Sequence, residues 1–384
     1  MTLALIALSL VTLSFAMSAG LCALVRLWAP RLGLLDRPGG HKGHATPTPL
    51  GGGVAIWLTV VGVIGFGLLA MTLAGTNLPA PIARNAGGIR ERSWELGLIL
   101  ALATGIMTMG LLDDRRALSW QLRLSIQFGV AIVLAASGIR VTLFPPLNHP
   151  LIGGALTVVW VVGLTNAFNL LDNMDGLAAG VGLIAAALFA GAQVAVGSLF
   201  APAVLLVLVG ALAGFLVHNR NPARLFMGDA GSNFLGFLLG ALTVAGTYYR
   251  YGEHYSKASV LAPLLVMAVP LYDTLSVIVI RRREGRSVFQ GDRRHFSHRL
   301  VERGLTPRQA VRTIDLVTLA SGLGALLLHR LEELAWVVVA QTACLLGVVA
   351  ILEVSANRPE RGHGTTASPN DSPLGIDPQA DARR

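Results

Sequence analysis

Apolar residues gather along this chain in stretches of about twenty, the length one helix needs to cross a bilayer's hydrocarbon core. The stretches predict spans near 2–25, 50–73, 94–112, 124–143, 151–170, 177–198, 201–217, 233–248, 258–280, 313–329 and 334–353. The expected fold class is therefore an all-α polytopic integral membrane protein with about 11 transmembrane helices. The polar segments between the spans are too short for a soluble domain. Residues 355–384 are rich in Pro, Gly, Asp and Ser and predict a disordered tail, so the chain divides into a transmembrane unit, 1–354, and that tail.

Composition agrees and narrows the class. Of 384 residues, 53% are hydrophobic and 13% charged, and the mean hydropathy is +0.64. A typical soluble domain carries about 25% charged residues. A soluble enzyme, a disordered protein and a secreted disulfide scaffold are excluded. Cys22 and Cys344 lie in apolar stretches, where a free thiol acts as a small hydrophobe. Residues 2–25 lack the basic start of a cleaved signal and read as a span.

The net charge of +9 does not point to nucleic acid once its distribution is seen. With an odd number of spans, the loops 26–49, 113–123, 171–176, 218–232 and 281–312 share one side and hold 19 of the 30 Lys and Arg residues. Outside these loops and the tail there are 7. By the positive-inside rule these loops and the C-terminus are cytoplasmic and the N-terminus is outside.

The same side collects the chemistry. Asp36, Lys42 and His44 lie in its first loop, and Asp113-Asp114 ends the third span. Adjacent carboxylates suit a divalent cation or a proton-accepting role, or form a membrane-edge cap balanced by Arg115 and Arg116. In NAFNLLDNMDGLAAG, Asn166, Asn169 and Asp172 recur at i, i+3, i+6 and share a helix face, and Asp175-Gly176 turns the chain. Polar groups there are costly unless they serve a cavity or partner; capping and turn formation is the alternative. HNRNPARLFMGDAGSNF sets Asp229 between glycines just before the eighth span, with backbone N–H groups expected to be open to phosphate. The basic loop RRREGRSVFQGDRRHFSHRL joins arginines, which grip diphosphate bidentately, to Asp292, His295 and His298; Asp273 precedes it. For Arg281 to Arg283 a stop-transfer role is preferred, and for Arg294 and His295 a functional one.

Together the segments DD, NAxNxxDxxDGLAxG, NPAxxFMGDxGS and DRRHxxHRL resemble the polyprenyl-phosphate N-acetylhexosamine-1-phosphate transferases, from about Asp36 to Gly304. The GDRRHFSHRLVERG loop is closest to the GlcNAc-1-phosphate branch; the phospho-MurNAc-pentapeptide branch usually has a denser histidine run. The resemblance implies a UDP-N-acetylhexosamine donor, a polyprenyl phosphate acceptor in the lipid bilayer, Mg²⁺ with Mn²⁺ as the alternative, UMP as the leaving group, and a bacterial cytoplasmic membrane. A homodimer is compatible with it. By motif, Asp229 and Asn169 would hold Mg²⁺. Asp113, with Asp114 beside it, would orient the lipid phosphate or take its proton. Asp172 and Asp175 would shape the metal and nucleotide site, and Asn219 and Phe226 the uridine pocket. Arg294, His295 and His298 would hold diphosphate or sugar, and Lys42 would reach the nucleotide. The sequence departs from the family pattern twice, with Ser297 where a histidine is usual and Asn173 where a glycine is usual.

Rivals fit less well. CDP-alcohol phosphotransferases should show DG followed by AR, whereas Leu-Ala-Ala-Gly follows Asp175-Gly176. A lipid or sugar transporter should place its coupling residues near the bilayer midplane, not at one end of the spans.

Overall fold

The computed structural model describes residues 3–36, 47–75, 77–78, 80–142, 148–249, 256–287, 294–330 and 333–355. Lys42, His44 and Asp292, and all but the first residue of the expected tail, lie outside them. The long helices are α1 (Leu3–Trp28), α2 (Gly52–Ala74), α3 (Ser93–Arg115), α4 (Trp120–Ala136), α5 (Pro150–Leu171) and α6 (Leu177–Ala195). They continue with α7 (Phe200–Asn219), α8 (Gly228–Ala245), α9 (Ala268–Arg283), the short α10 (Phe296–Glu302), α11 (Pro307–Leu323) and α12 (Ala335–Ser355). Two residue pairs, β1 (Leu35–Asp36) and β2 (Thr48–Pro49), form an antiparallel bridge. The chain is a polytopic all-helical membrane protein. Among the described residues, 7 helices are long and apolar enough to cross a membrane, or 8 if a bent pair counts as one span.

Each expected span overlaps a helix, but the helices over 124–143, 233–248 and 313–329 are not among those long and apolar enough to cross a membrane. Two expected spans differ in a way that matters for the site. The stretch 258–280 is broken, and its halves Lys257–Val266 and Ala268–Arg283 meet at 60°. Pro270 supplies the reason: it has no N–H for the carbonyl of Val266, and its ring crowds that carbonyl. The helix over the expected eighth span starts five residues earlier than expected, at Gly228, so Asp229 stands in the first helical turn and not in a loop before it.

Helix ends mark the membrane boundaries. Trp28, Trp94, Trp120 and Trp336 are exposed and each lies within two residues of a helix terminus, where indole prefers the interface. Lipid offers helices no hydrophobic reason to associate, so close packing and interhelical hydrogen bonds must hold the bundle. Ser18 Oγ donates to the carbonyl of Ala211 (2.6 Å), Trp57 Nε1 to Thr104 Oγ1 (2.9 Å) and Trp160 Nε1 to Thr243 Oγ1 (2.8 Å). The most enclosed helix is α8, whose residues from Ala230 to Thr243 are all buried. It packs against α2, α3 and α5. Gly110 of α3 lies against the main chain of Asp229, and a Cβ there would collide with its carbonyl. The start of α8 is thus wedged between neighbouring helix ends, and this positions the site.

Candidate active site

The geometry begins with the two consecutive aspartates that end α3. Asp114 turns both carboxylate oxygens to the start of α8, accepting from the N–H of Asp229 (2.8 Å) and of Ala230 (3.1 Å). It caps a helix distant in sequence and satisfies donors that its own first turn leaves over. Gly228 permits this approach, with φ of 71° and no Cβ to meet the Asp114 carboxylate. The N–H groups expected to stand open for phosphate are therefore already taken at these two residues. Asp113 lies beside the Asp229 side chain. Its carboxylate accepts from the N–H of Leu118 (2.7 Å) and from Arg123 Nη1 of α4 (2.7 Å).

Arg123 also lies 3.9 Å from Asp229 Oδ2, so one guanidinium spans two acids. The Asp113 side chain is 5% exposed and that of Asp229 36%, so Asp229 is the acid that opens toward a ligand. Asp229 Oδ1 accepts from Asn169 Nδ2 (2.7 Å), which also reaches Ser232 Oγ (3.1 Å). Behind it runs an amide chain: Asn166 Nδ2 donates to Gln127 Oε1 (2.6 Å), Gln127 Nε2 to Asn233 Oδ1 (3.1 Å), and Asn233 Nδ2 to the carbonyl of Asp229 (2.8 Å). The shared face of Asn166 and Asn169 thus meets α4 and α8.

Asp172 closes α5. Enclosure, together with the charges of Asp229, Asp114 and Asp175, pushes its carboxyl up to about 8. Asp175 is engaged by Asn221 Nδ2 (3.0 Å) and the N–H of Ala223 (2.9 Å), which ties the α5–α6 turn to the α7–α8 loop. Asn219, 3% exposed, accepts from the N–H of Gly176 and donates to the carbonyl of Leu225 (both 2.9 Å). Its side chain braces that turn. Phe226 donates its N–H to the carbonyl of Pro49 and accepts from the N–H of Gly52 (both 2.9 Å), anchoring the segment that enters α2.

A second group is built on Asp273, in the first half of α9. Asp273 Oδ1 accepts from the N–H of Phe296 (2.6 Å), and Oδ2 lies 3.0 Å from His295 Nδ1. A carboxylate can only accept, so Nδ1 carries the hydrogen. His295 is buried, whereas Arg294 is exposed and pairs with Glu284 (3.0 Å). Buried Arg299 donates to the carbonyl of Arg294 (2.6 Å) and to Ser276 Oγ (2.8 Å) and pairs with Glu353 of α12 (3.1 Å). His298 is half-buried on α10. Ser297 Oγ donates to Asn173 Oδ1 at 2.5 Å, so the histidine segment touches the acidic one.

Asp113, Asp114, Asn169, Asp172, Asp175, Asn219, Phe226 and Asp229 therefore lie in linked segments, and Arg294, His295 and His298 adjoin them through α10. Arg123, Gln127, Asn233 and the Asp273–His295 pairing carry no motif of their own. A basic residue in the first turn after the DD loop, and an acid one turn inside α9, were the available signals. Among the described residues no three His, Cys, Asp or Glu side chains are arranged to hold one metal ion. Mg²⁺ is usually held by one or two carboxylates, with waters and substrate phosphates completing its shell. The open Asp229 beside the electrostatically strained Asp172 fits that mode.

A model of glycosyl transferase family 4 matches residues 96–247, from α3 past the end of α8. The chain is similar to a probable undecaprenyl-phosphate N-acetylglucosaminyl 1-phosphate transferase of Bacillus subtilis, 32% identical over 312 residues that cover 79% of this chain and 80% of the relative. It is 36% identical over 324 residues to a decaprenyl-phosphate N-acetylglucosaminephosphotransferase of Mycobacterium tuberculosis, covering 76% of this chain and 75% of the relative. An undecaprenyl-phosphate alpha-N-acetylglucosaminyl 1-phosphate transferase of Escherichia coli is 28% identical, over 77% of this chain and 76% of its own length.

Proposed function

The chain belongs to glycosyl transferase family 4, and we propose that it transfers N-acetylglucosamine-1-phosphate from UDP-N-acetylglucosamine to a polyprenyl phosphate. A phosphate oxygen of the lipid attacks the sugar-linked phosphorus, the bond to the bridging diphosphate oxygen breaks, and UMP leaves. The observation that carries this reading is the meeting of an acidic pocket and an Arg/His segment through the Asn173–Ser297 contact. Such a site faces a diphosphate from both sides, and phosphoryl transfer depends on positioning and charge neutralisation.

In this reading Asp229 supplies the carboxylate for Mg²⁺ or Mn²⁺, with Asn169 beside it and Asp172 adding negative charge. The cation, when bound, neutralises the diphosphate. Arg123, held by Asp113, presents a positive charge to the lipid phosphate. Both oxygens of Asp113 and of Asp114 already accept hydrogen bonds, which supports direct attack by the lipid phosphate over an aspartyl-phosphate. His295, fixed by Asp273, offers Nε2 to the donor, and Arg294 lies beside it. The 11-span arrangement, with the N-terminus outside and the site facing the cytoplasm of a bacterial inner membrane, is part of the same proposal; the 19-to-7 distribution of basic residues supports it. Purified protein incubated with UDP-N-acetylglucosamine, polyprenyl phosphate and Mg²⁺ should release UMP and form a lipid-linked sugar. UMP release that needs no lipid acceptor would reject the transferase reading.

A further inference from the structure

Two positions singled out by the sequence as departures from the pattern it resembles, Asn173 and Ser297, lie 124 residues apart and bond to each other. The bond is short, 2.5 Å, and Ser297 is 1% exposed. Neither partner is loose. The other arm of the Asn173 amide donates to the carbonyl of Leu170 (2.7 Å), fixing the side chain to the last turn of α5. Ser297 sits near the start of α10, which Asp273 holds from the opposite side through the N–H of Phe296 and the ring of His295. The start of α10 is thus held from α9 by a carboxylate and from the α5–α6 turn by an amide. Asp172, next to Asn173, belongs to the acidic pocket, and Ser297 lies between His295 and His298.

We propose that Asn173 and Ser297 form a positioning pair that sets the spacing between the acidic pocket and the Arg294–His298 segment, and that this spacing governs binding of the donor's diphosphate. The inference rests on the transferase reading above. A ligand gripped from two sides binds well only when both sides are held at the right separation, and displacements of about 1 Å are costly in such sites. Neither residue touches the reacting atoms in this account; each acts through its neighbours.

The test is a double-mutant cycle on the full-length protein in detergent or nanodiscs, using Asn173→Ala, Ser297→Ala and the pair. Each single variant should raise the KM for UDP-N-acetylglucosamine about tenfold, the scale of one lost buried hydrogen bond. The KM for polyprenyl phosphate should hold. The double variant should be no worse than the more impaired single one, because both remove the same interaction. Thermal inactivation midpoints, measured in parallel, show that each variant is folded; a merely structural role would lower the midpoint and leave the donor KM in place. Additive losses, an unchanged donor KM, or equal rises in both KM values would overturn the pair. A wild-type protein that transfers no sugar phosphate would overturn the functional reading and this inference with it, whereas an active wild type with additive variants would overturn the inference alone.

Discussion

Asp114 directs both oxygens at the first N–H groups of α8, while Asp229, in that same turn, keeps an open carboxylate. Removing the first should act on folding and removing the second on the cation. Asp114→Ala leaves two helix-start donors without their acceptor, and loss of a cap typically costs about 0.5–2 kcal/mol; thermal inactivation in detergent should fall accordingly. Asp229→Asn keeps the shape of the turn and removes a charged ligand, so it should raise the Mg²⁺ concentration needed for residual activity. Asp113→Asn, which frees Arg123, should lower kcat by about 10²-fold, the scale of one lost electrostatic contact to the transferring phosphate, with little change in Mg²⁺ dependence. If Mg²⁺ titrations show the shift in Asp113→Asn and not in Asp229→Asn, the two roles are reversed. Asp172 adds a pH dependence. Its carboxyl, pushed up to about 8, is largely protonated at neutral pH in the cation-free protein. A folded-state value raised in this way gives stability that is present at low pH and lost as pH rises through about 8. A cation must displace that proton, so it binds better as pH rises. The stabilisation gained from Mg²⁺, read as the difference in thermal midpoint with and without chelator, should grow from about pH 6 to about pH 8.5. A difference that does not change with pH would remove Asp172 from the cation's surroundings.

At the scale of elements, the site depends on how closely α2 and α3 approach the start of α8. Gly110 faces the main chain of Asp229, and Gly53 of α2 faces that of Gly231. Neither contact is with a flexible side chain that could swing aside. Gly110→Val should push α3 off α8, separate Asp114 from the N–H groups it caps, and cost about 1–3 kcal/mol or more. Gly105→Val, on the same helix with open space beyond its Cα, should be tolerated, so comparing their thermal midpoints isolates the contact. The helices themselves were legible in the sequence because a span declares itself locally, by the length of its apolar run. The 60° bend at Met267 was legible in principle, since Pro270 lies inside the apolar stretch, but hydropathy averages over a single proline. Bonds between elements were not legible. Asp114 caps a helix 115 residues away, and Ser297 meets Asn173 across 124. No periodicity encodes such a partner. The DD pair therefore looked like one unit, although Asp114 caps α8 and Asp113 holds Arg123, and the bond from the Asn219 amide to the Gly176 turn carried no signal.

For the whole molecule, alternation of the helices brings the ends of α3, α5, α7 and α9 to the starts of α4, α6, α8 and α10, and the hydrogen bonds between them show that these ends share one face. The opposite ends carry no comparable cluster among the described residues. Basic residues concentrate with the acids, and the positive-inside rule expects such loops on the cytoplasmic side. A charged nucleotide sugar does not cross a bilayer unaided, so a site that uses it should lie on the side where it is made. Orientation is therefore tied to function and can be tested without activity. Ser287, exposed beyond the end of α9, reports on the site's face, and Asn77, exposed between α2 and α3, reports on the other. With Cys344, the exposed native thiol, replaced by Ser and Cys22 left in place because it is buried, each position can carry a single accessible cysteine. In intact cells a membrane-impermeant maleimide should label Asn77→Cys and leave Ser287→Cys unmodified until the membrane is permeabilised. The reverse pattern would put the acidic pocket and the Arg294–His298 segment outside, away from any cytoplasmic nucleotide sugar. It would defeat the proposed orientation and, with it, the assignment of this face as the place where donor and lipid acceptor meet.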